Sequence, residues 1–221
     1  WSSHNQHYHF RGIYPSATEV KPDIANQSQY IEVANGSYNA ETFPSNLLIG
    51  MPELAEDEVM CDNPDHDHVN MNIYGICARE AAINLTFRYM MSQVEVVLTT
   101  SDEVRTDHVD LSNVKVELDN VYNTGHVLMS DRSVIVTGNS GTFTLPQIDV
   151  TKHQYLGVVV PQSLTGITDA DSDNILIKLT VTNSANTQDI YYADVEPILK
   201  KGSKDRVAPN GKWESGHHYV Y

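Results

Sequence analysis

Across 221 residues the chain carries 29 acidic against 14 basic side chains, a formal net charge of −15. Such a surface repels nucleic-acid phosphates and anionic lipid, which argues against both as partners. Hydrophobic residues make up 40% of the chain, enough for a core, and no apolar run approaches the roughly 20 residues of a membrane helix.

The length suits one large β domain or two small ones. An opening on Trp1 rather than Met leads us to expect a processed or excised piece of a longer protein. Residues 1–80 read as irregular. His4, His7 and His9 sit in a polar, aromatic opening, and His9–Pro15 reads as a short strand that Pro15 stops, because proline cannot donate to a ladder. Residues 16–45 read as loop with one edge strand near Tyr30–Val33. Asn46–Gly50 is a second short strand, and 52–70 form an acidic, His-containing loop. Leu47–Met51 and Ala78–Ile83 are weak helix candidates.

From Ile83 the texture changes. Leu85, Phe87, Tyr89 and Met91 alternate with Asn84, Thr86, Arg88 and Met90, the period-two pattern of a half-buried strand. Val94, Val96 and Leu98 continue the alternation in the opposite phase. A phase flip turns every side chain to the other face, so a bulge or bend is expected near Ser92-Gln93. Val114, Val116 and Leu118 open a strand running toward Tyr122, with Asn123-Thr124-Gly125 as a turn. Val127–Met129 and Ser133–Thr137 follow, with Gly138–Gly141 as the next turn. Tyr155–Val160 is an apolar run ended by Pro161. Ile175, Ile177, Leu179 and Val181 alternate, Asn183–Asn186 is a loop, and Asp189–Val195 pairs back. His217–Tyr221 begins a last strand. Short strands separated by turns, with hardly any amphipathic helix, indicate an all-β, antiparallel sandwich fold. The looser and the regular halves meet near residues 79–84, which gives an expected division into 1–80 and 81–221.

Little in the chain suggests catalysis. Neither a G-x-S-x-G nor an H-E-x-x-H motif is present, so no enzymatic role and no cofactor are expected. Asp65-His66-Asp67-His68 contains metal-ligand residue types, and His66 and His68 would share a side of an extended loop. A structural zinc needs four ligands, and a solvated acidic loop is the preferred reading. Asp169, Asp171 and Asp173 resemble the first half of a calcium loop. Asn174 stands where glycine is needed, and Thr180 where glutamate is needed, so a polar hairpin loop is preferred. Cys61 and Cys77 are either a disulfide, worth about 3 kcal/mol, or two buried free thiols. Trp213, Tyr191 and Tyr192 could form an aromatic platform for carbohydrate, although a tryptophan at a strand start is more often a core residue.

Five stretches, in order, resemble the fimbrillin superfamily of Bacteroides-type pilus subunits and surface lipoproteins. They are Phe10-Arg-Gly-Ile-Tyr-Pro15, Asn46-Leu-Leu-Ile-Gly50, Leu85-Thr-Phe-Arg-Tyr-Met-Met-Ser-Gln-Val-Glu-Val96, Val158-Val-Val-Pro-Gln162 and Trp213-Glu-Ser-Gly-His-His-Tyr-Val-Tyr221. Tyr89 stands where the family has histidine, and the family continues beyond both ends of this chain. The resemblance implies two tandem antiparallel Greek-key (transthyretin-like) β-sandwich domains, the first partial here. It implies a structural or adhesive subunit of the fimbrium, exported through the periplasm to the cell surface or outer membrane. Partners would be other pilus subunits, like or homologous, joined by strand exchange, with host or surface glycans and proteins as further partners. Contact with a membrane would come only through a lipid anchor outside this chain. Strand exchange places the working residues at the ends, at Ile13 and Tyr14 and at His217, Tyr219 and Tyr221. A carbohydrate-binding surface module is the alternative.

Overall fold

The computed structural model describes residues 7–24, 28–52, 75–77, 82–99, 111–164, 174–183, 186–195 and 211–221. In chain order the strands are β1 (His7–His9), β2 (Gly12–Tyr14), β3 (Lys21–Asp23), β4 (Ser28–Ala34), β5 (Gly36–Ser37), β6 (Leu48–Pro52), β7 (Gly75–Cys77) and β8 (Leu85–Tyr89). They continue with β9 (Ser92–Val97), β10 (Val114–Leu128), β11 (Val134–Thr144), β12 (Gln147–Asp149), β13 (Gln154–Val159), β14 (Leu176–Thr182), β15 (Gln188–Asp194) and β16 (His218–Val220). One 3₁₀ turn, Leu111–Asn113, precedes β10. The fold is all-β, as expected, and the segment Leu47–Met51 is extended rather than helical.

The largest sheet is organised by β10. Along one edge β10 pairs with β11. Along the other, its first part pairs with β14 and its last part with β4. β15 continues the sheet beyond β14, and β3 beyond β4. A second sheet runs β12-β13-β9-β16, with β5 also on β13. A third runs β2-β6-β8, and β1 pairs with β7. Hydrogen bonds therefore cross the expected 1–80 and 81–221 division at β4–β10, β5–β13 and β6–β8.

Two apolar clusters fill the space between the sheets. Ile31, Val33, Leu47, Ile49, Met51, Met90, Met91, Val127 and Val158 form one. Val94, Val96, Val116, Leu118, Tyr155, Ile177, Trp213 and Tyr219 belong to the other. β10 feeds both, through Val116 and Leu118 at its start and Val127 near its end.

Three expectations are corrected. The turns expected at Asn123–Gly125 and Gly138–Gly141 are not chain reversals, because β10 and β11 run straight through them. The two segments lie opposite each other, with Thr124 against Thr137 and Tyr122 against Ser140, and the register slips there. Paired turn signals thus make a matched kink in one long hairpin, and Gly138 takes φ 75° to allow it. The reversal itself falls at Met129–Ser133, where Asp131 Oδ1 accepts the Ser133 N–H at 2.8 Å. Next, β4 is not an edge strand but lies between β3 and β10. The bend expected near Ser92 is present, since the chain leaves β6 after Tyr89 and joins β13 from Ser92, with consecutive Met90 and Met91 both buried. β8 is not the half-buried strand expected, since Thr86–Tyr89 are all exposed. Core-facing Ile49 and Met51 lie opposite Arg88 and Thr86, so Phe87 points outward opposite Gly50, with its ring packed where Cβ atoms of Gly12 and Gly50 would stand.

The kinked hairpin gives a test. A Cβ on Gly125 would lie 2.7 Å from Val160 Cγ1 and 3.0 Å from the Ile135 carbonyl oxygen, whereas one on Gly141 meets nothing closer than 3.5 Å. Gly125→Ala should cost about 1–3 kcal/mol in urea unfolding, and Gly141→Ala should stay within about 0.5 kcal/mol of the parent. Equal midpoints for the two variants would contradict the packing described.

Candidate assembly edge

The residues at the two ends do not converge. Ile13 and Tyr14 lie on β2, at the edge of the sheet with β6 and β8. Ile13 is half-buried against the first core cluster, and Tyr14 is exposed. His217, Tyr219 and Tyr221 belong to the last segment, whose strand β16 lies on the edge of a different sheet, beside β9.

That pairing is parallel, with His218 against Gln93, Tyr219 against Val94 and Val220 against Glu95. The other strand pairs among the described residues are antiparallel. Period-two alternation sends Tyr219 into the core, where it is 3% exposed, and leaves His218 and Val220 outside. The backbone ladder extends past the strand itself. Gln93 N–H donates to the His217 carbonyl at 2.8 Å, Val97 N–H to the Tyr221 carbonyl at 3.0 Å, and Tyr221 N–H to the Glu95 carbonyl at 2.9 Å.

Side chains fix the segment further. Trp213 is in the core, as the more frequent arrangement for such a tryptophan predicts, and its Nε1–H donates to the Tyr221 hydroxyl at 3.1 Å. The Tyr219 hydroxyl accepts the Glu214 N–H at 2.9 Å. His218 Nε2 lies 2.8 Å from Oε2 of buried Glu95, whose other oxygen accepts from Gln154. Burial pushes the Tyr221 hydroxyl up from 10.0 to about 12, and burial also raises that of Tyr219.

The remaining sequence candidates fare differently. His66, His68, Asp169, Asp171, Asp173, Cys61 and His4 lie outside the described residues, and Cys77 and His7 are described only as backbone of β7 and β1. His9 is exposed. Among the described residues no group of three or more His, Cys, Asp or Glu side chains could hold a metal. Burial takes Trp213 out of any carbohydrate platform, while Tyr191 and Tyr192 are 51% and 56% exposed on β15, as neighbours on opposite faces. β15 is exposed along its whole length and pairs only with β14 among the described strands. Neither that edge nor the Glu95–His218 pair is signalled by hydrophobic alternation, because both depend on partners distant in the chain.

A family model described as fimbrillin-like matches residues 1–221. No curated protein matches. Among solved structures, the chain resembles a Bacteroides uniformis ATCC 8492 protein provisionally assigned to cell adhesion, at 15% identity and a TM-score of 0.54, over 97% of this chain and 66% of that one. A second such protein, from Bacteroides thetaiotaomicron VPI-5482, matches at 13% identity and a TM-score of 0.39, over 95% of this chain and 62% of that one. The tip fimbrial protein Mfa3 of Porphyromonas gingivalis matches at 15% identity and a TM-score of 0.39, over 62% of this chain and 48% of its own. The chain thus spans 66%, 62% and 48% of the length of these three structures.

The tyrosine burial has a pH consequence. The unfolded chain loses the Tyr221 proton near 10.0 and the folded chain only near about 12. The stability this group contributes is therefore complete below pH 10.0 and declines as pH rises toward about 12. Thermal midpoints should be insensitive to this group near neutrality and fall across that alkaline window, and Tyr221→Phe should flatten the fall. An identical alkaline profile in Tyr221→Phe would refute the assignment.

Proposed function

Because the chain belongs to the fimbrillin-like family, we propose that it is a structural and adhesive subunit of a surface fimbrium, one that meets its neighbours by β-strand addition rather than by catalysis. The observation that carries the reading is the manner in which β16 lies on β9. A short strand covers a sheet edge, and one alternate side chain, Tyr219, enters the core. Strand addition uses these two elements, backbone bonds for affinity and alternate side chains in pockets for specificity. Parallel ladders are slightly weaker per residue than antiparallel ones, which favours exchange of this edge for a competing strand.

On the same reading the subunit is exported through the periplasm, held at the outer membrane by a lipid anchor supplied outside this chain, and joined to like or homologous subunits. The exposed edge of β2, with Ile13 and Tyr14, would be the second contact. Host proteins or glycans would be met by the assembled fimbrium.

The test supplies the strand in trans. A chain ending at residue 210 is mixed with a peptide of residues 211–221. Binding at about 100 times the dissociation constant should stabilise the chain by about 2.7 kcal/mol, read as a higher thermal midpoint. The same peptide carrying Tyr219→Ala should give little or no shift. No shift with the parent peptide would count against assembly through this edge.

A further inference from the structure

β3 covers only part of β4. Their pairing stops at Tyr30, opposite Lys21, and beyond it the Glu32–Ala34 edge carries no partner strand among the described residues. A groove occupies this notch. One part, of about 320 Å³, lies between Pro15–Lys21 and β4. The other, of about 380 Å³, continues across β4 to Thr124, His126 and Thr137. Glu32 and Phe43 line both parts. Each lies within the size range of small-ligand clefts.

The lining combines one ring with fixed polar groups. Phe43 is 41% exposed. Lys21 Nζ lies 2.6 Å from Oε2 of Glu32, and that bond holds the carboxylate below its usual range, so it stays an acceptor at neutral pH. His126 sits opposite Glu32 on β10 and is held by stacking on Tyr30, centroids 4.0 Å apart. Thr137 Oγ1 lies 3.0 Å from Thr124 Oγ1, which itself donates to the Thr137 carbonyl.

From this arrangement we propose that the groove binds a neutral saccharide, with a sugar face against Phe43 and hydroxyls bonded to Glu32 on one side and to His126 and Thr137 on the other. Sugar rings present an apolar face with hydroxyls at its rim, which matches an aromatic ring flanked by acceptors and donors. The net charge of −15 disfavours acidic ligands. A peptide strand fits poorly, because the open edge spans only Glu32–Ala34 before Lys21 and the Phe43 loop intervene, whereas strands average about 5–6 residues. The site is separate from the β16 edge, so either proposal can fail alone.

The full chain is applied to an array of neutral pentasaccharides of the malto, cello, laminari, manno and chito series, and a series that binds is titrated by calorimetry. Phe43→Ala should weaken binding by about tenfold or more. Glu32→Gln, an exposed and nearly isosteric change that keeps the fold, should also weaken it, and Tyr192→Ala should leave it unchanged. The proposal is overturned if none of the series binds, if Glu32→Gln binds as tightly as the parent, or if Tyr192→Ala removes binding. Binding of the residue 211–221 peptide to the shortened chain reports on the β16 edge and is unaffected by these changes.

Discussion

The kink in β10 is the point on which both halves of the structure depend. Between Leu118 and Thr124 the register against β11 slips twice, which takes backbone groups out of the ladder. On the other edge of β10 the β14 pairing ends at Asp119 and the β4 pairing begins at Thr124, and two amide side chains serve the backbone in that gap. Tyr122 N–H donates to Gln162 Oε1 at 2.8 Å, and the Tyr122 carbonyl accepts from Gln162 Nε2 at 3.1 Å and from Asn35 Nδ2 at 3.3 Å. Asn35 Oδ1 in turn accepts the Val160 N–H at 2.8 Å. A buried backbone group left without such a partner costs about 1–3 kcal/mol, and Gln162 is itself buried. β10 and β13 both contribute to the two apolar clusters, and these amides tie the end of β13 to β10.

The same residues show what the sequence made legible. Strict alternation at Ile175–Val181 and the phase change after Tyr89 are short-range signals, and they placed β14 and the bend before β9. Val158–Gln162 stood out as a family-like motif. Its reason lay elsewhere, because Gln162 acts on Tyr122, 40 positions away. Asn123-Thr-Gly125 and Gly138–Gly141 carry turn chemistry, and only their cross-strand opposition reveals that they share one kink. Turn propensity describes what a backbone can do locally, not whether the chain reverses.

The terminal edge and the groove lay further from view. Tyr219 alternates as a strand residue should, but parallel pairing to β9 rests on contacts about 125 positions apart. The groove gathers Lys21, Glu32, His126 and Thr137 through β3–β4, β4–β10 and β10–β11 pairing, and Phe43 from the loop between β5 and β6. Each of these residues is unremarkable in its own stretch. The exposed β8 rings follow similar logic. Phe87 reads as core by alternation, yet it points outward because the glycines at 12 and 50 leave a seat for its ring there.

On the proposed reading, charge explains why backbone should do the joining. At −15 the subunit repels its own copies, and screening at physiological salt confines that repulsion to about 8 Å. A contact between subunits must therefore gain enough at short range to offset it. A flat apolar patch would do so without direction and with a risk of uncontrolled aggregation. A strand laid along an edge gains several hydrogen bonds in one register and buries a single aromatic side chain per pocket, and a one-residue slip would expel that side chain. On the strand-addition reading, the three-residue β16 with Tyr219 at its centre meets this requirement. Its backbone carries the affinity, and the tyrosine allows only one alignment.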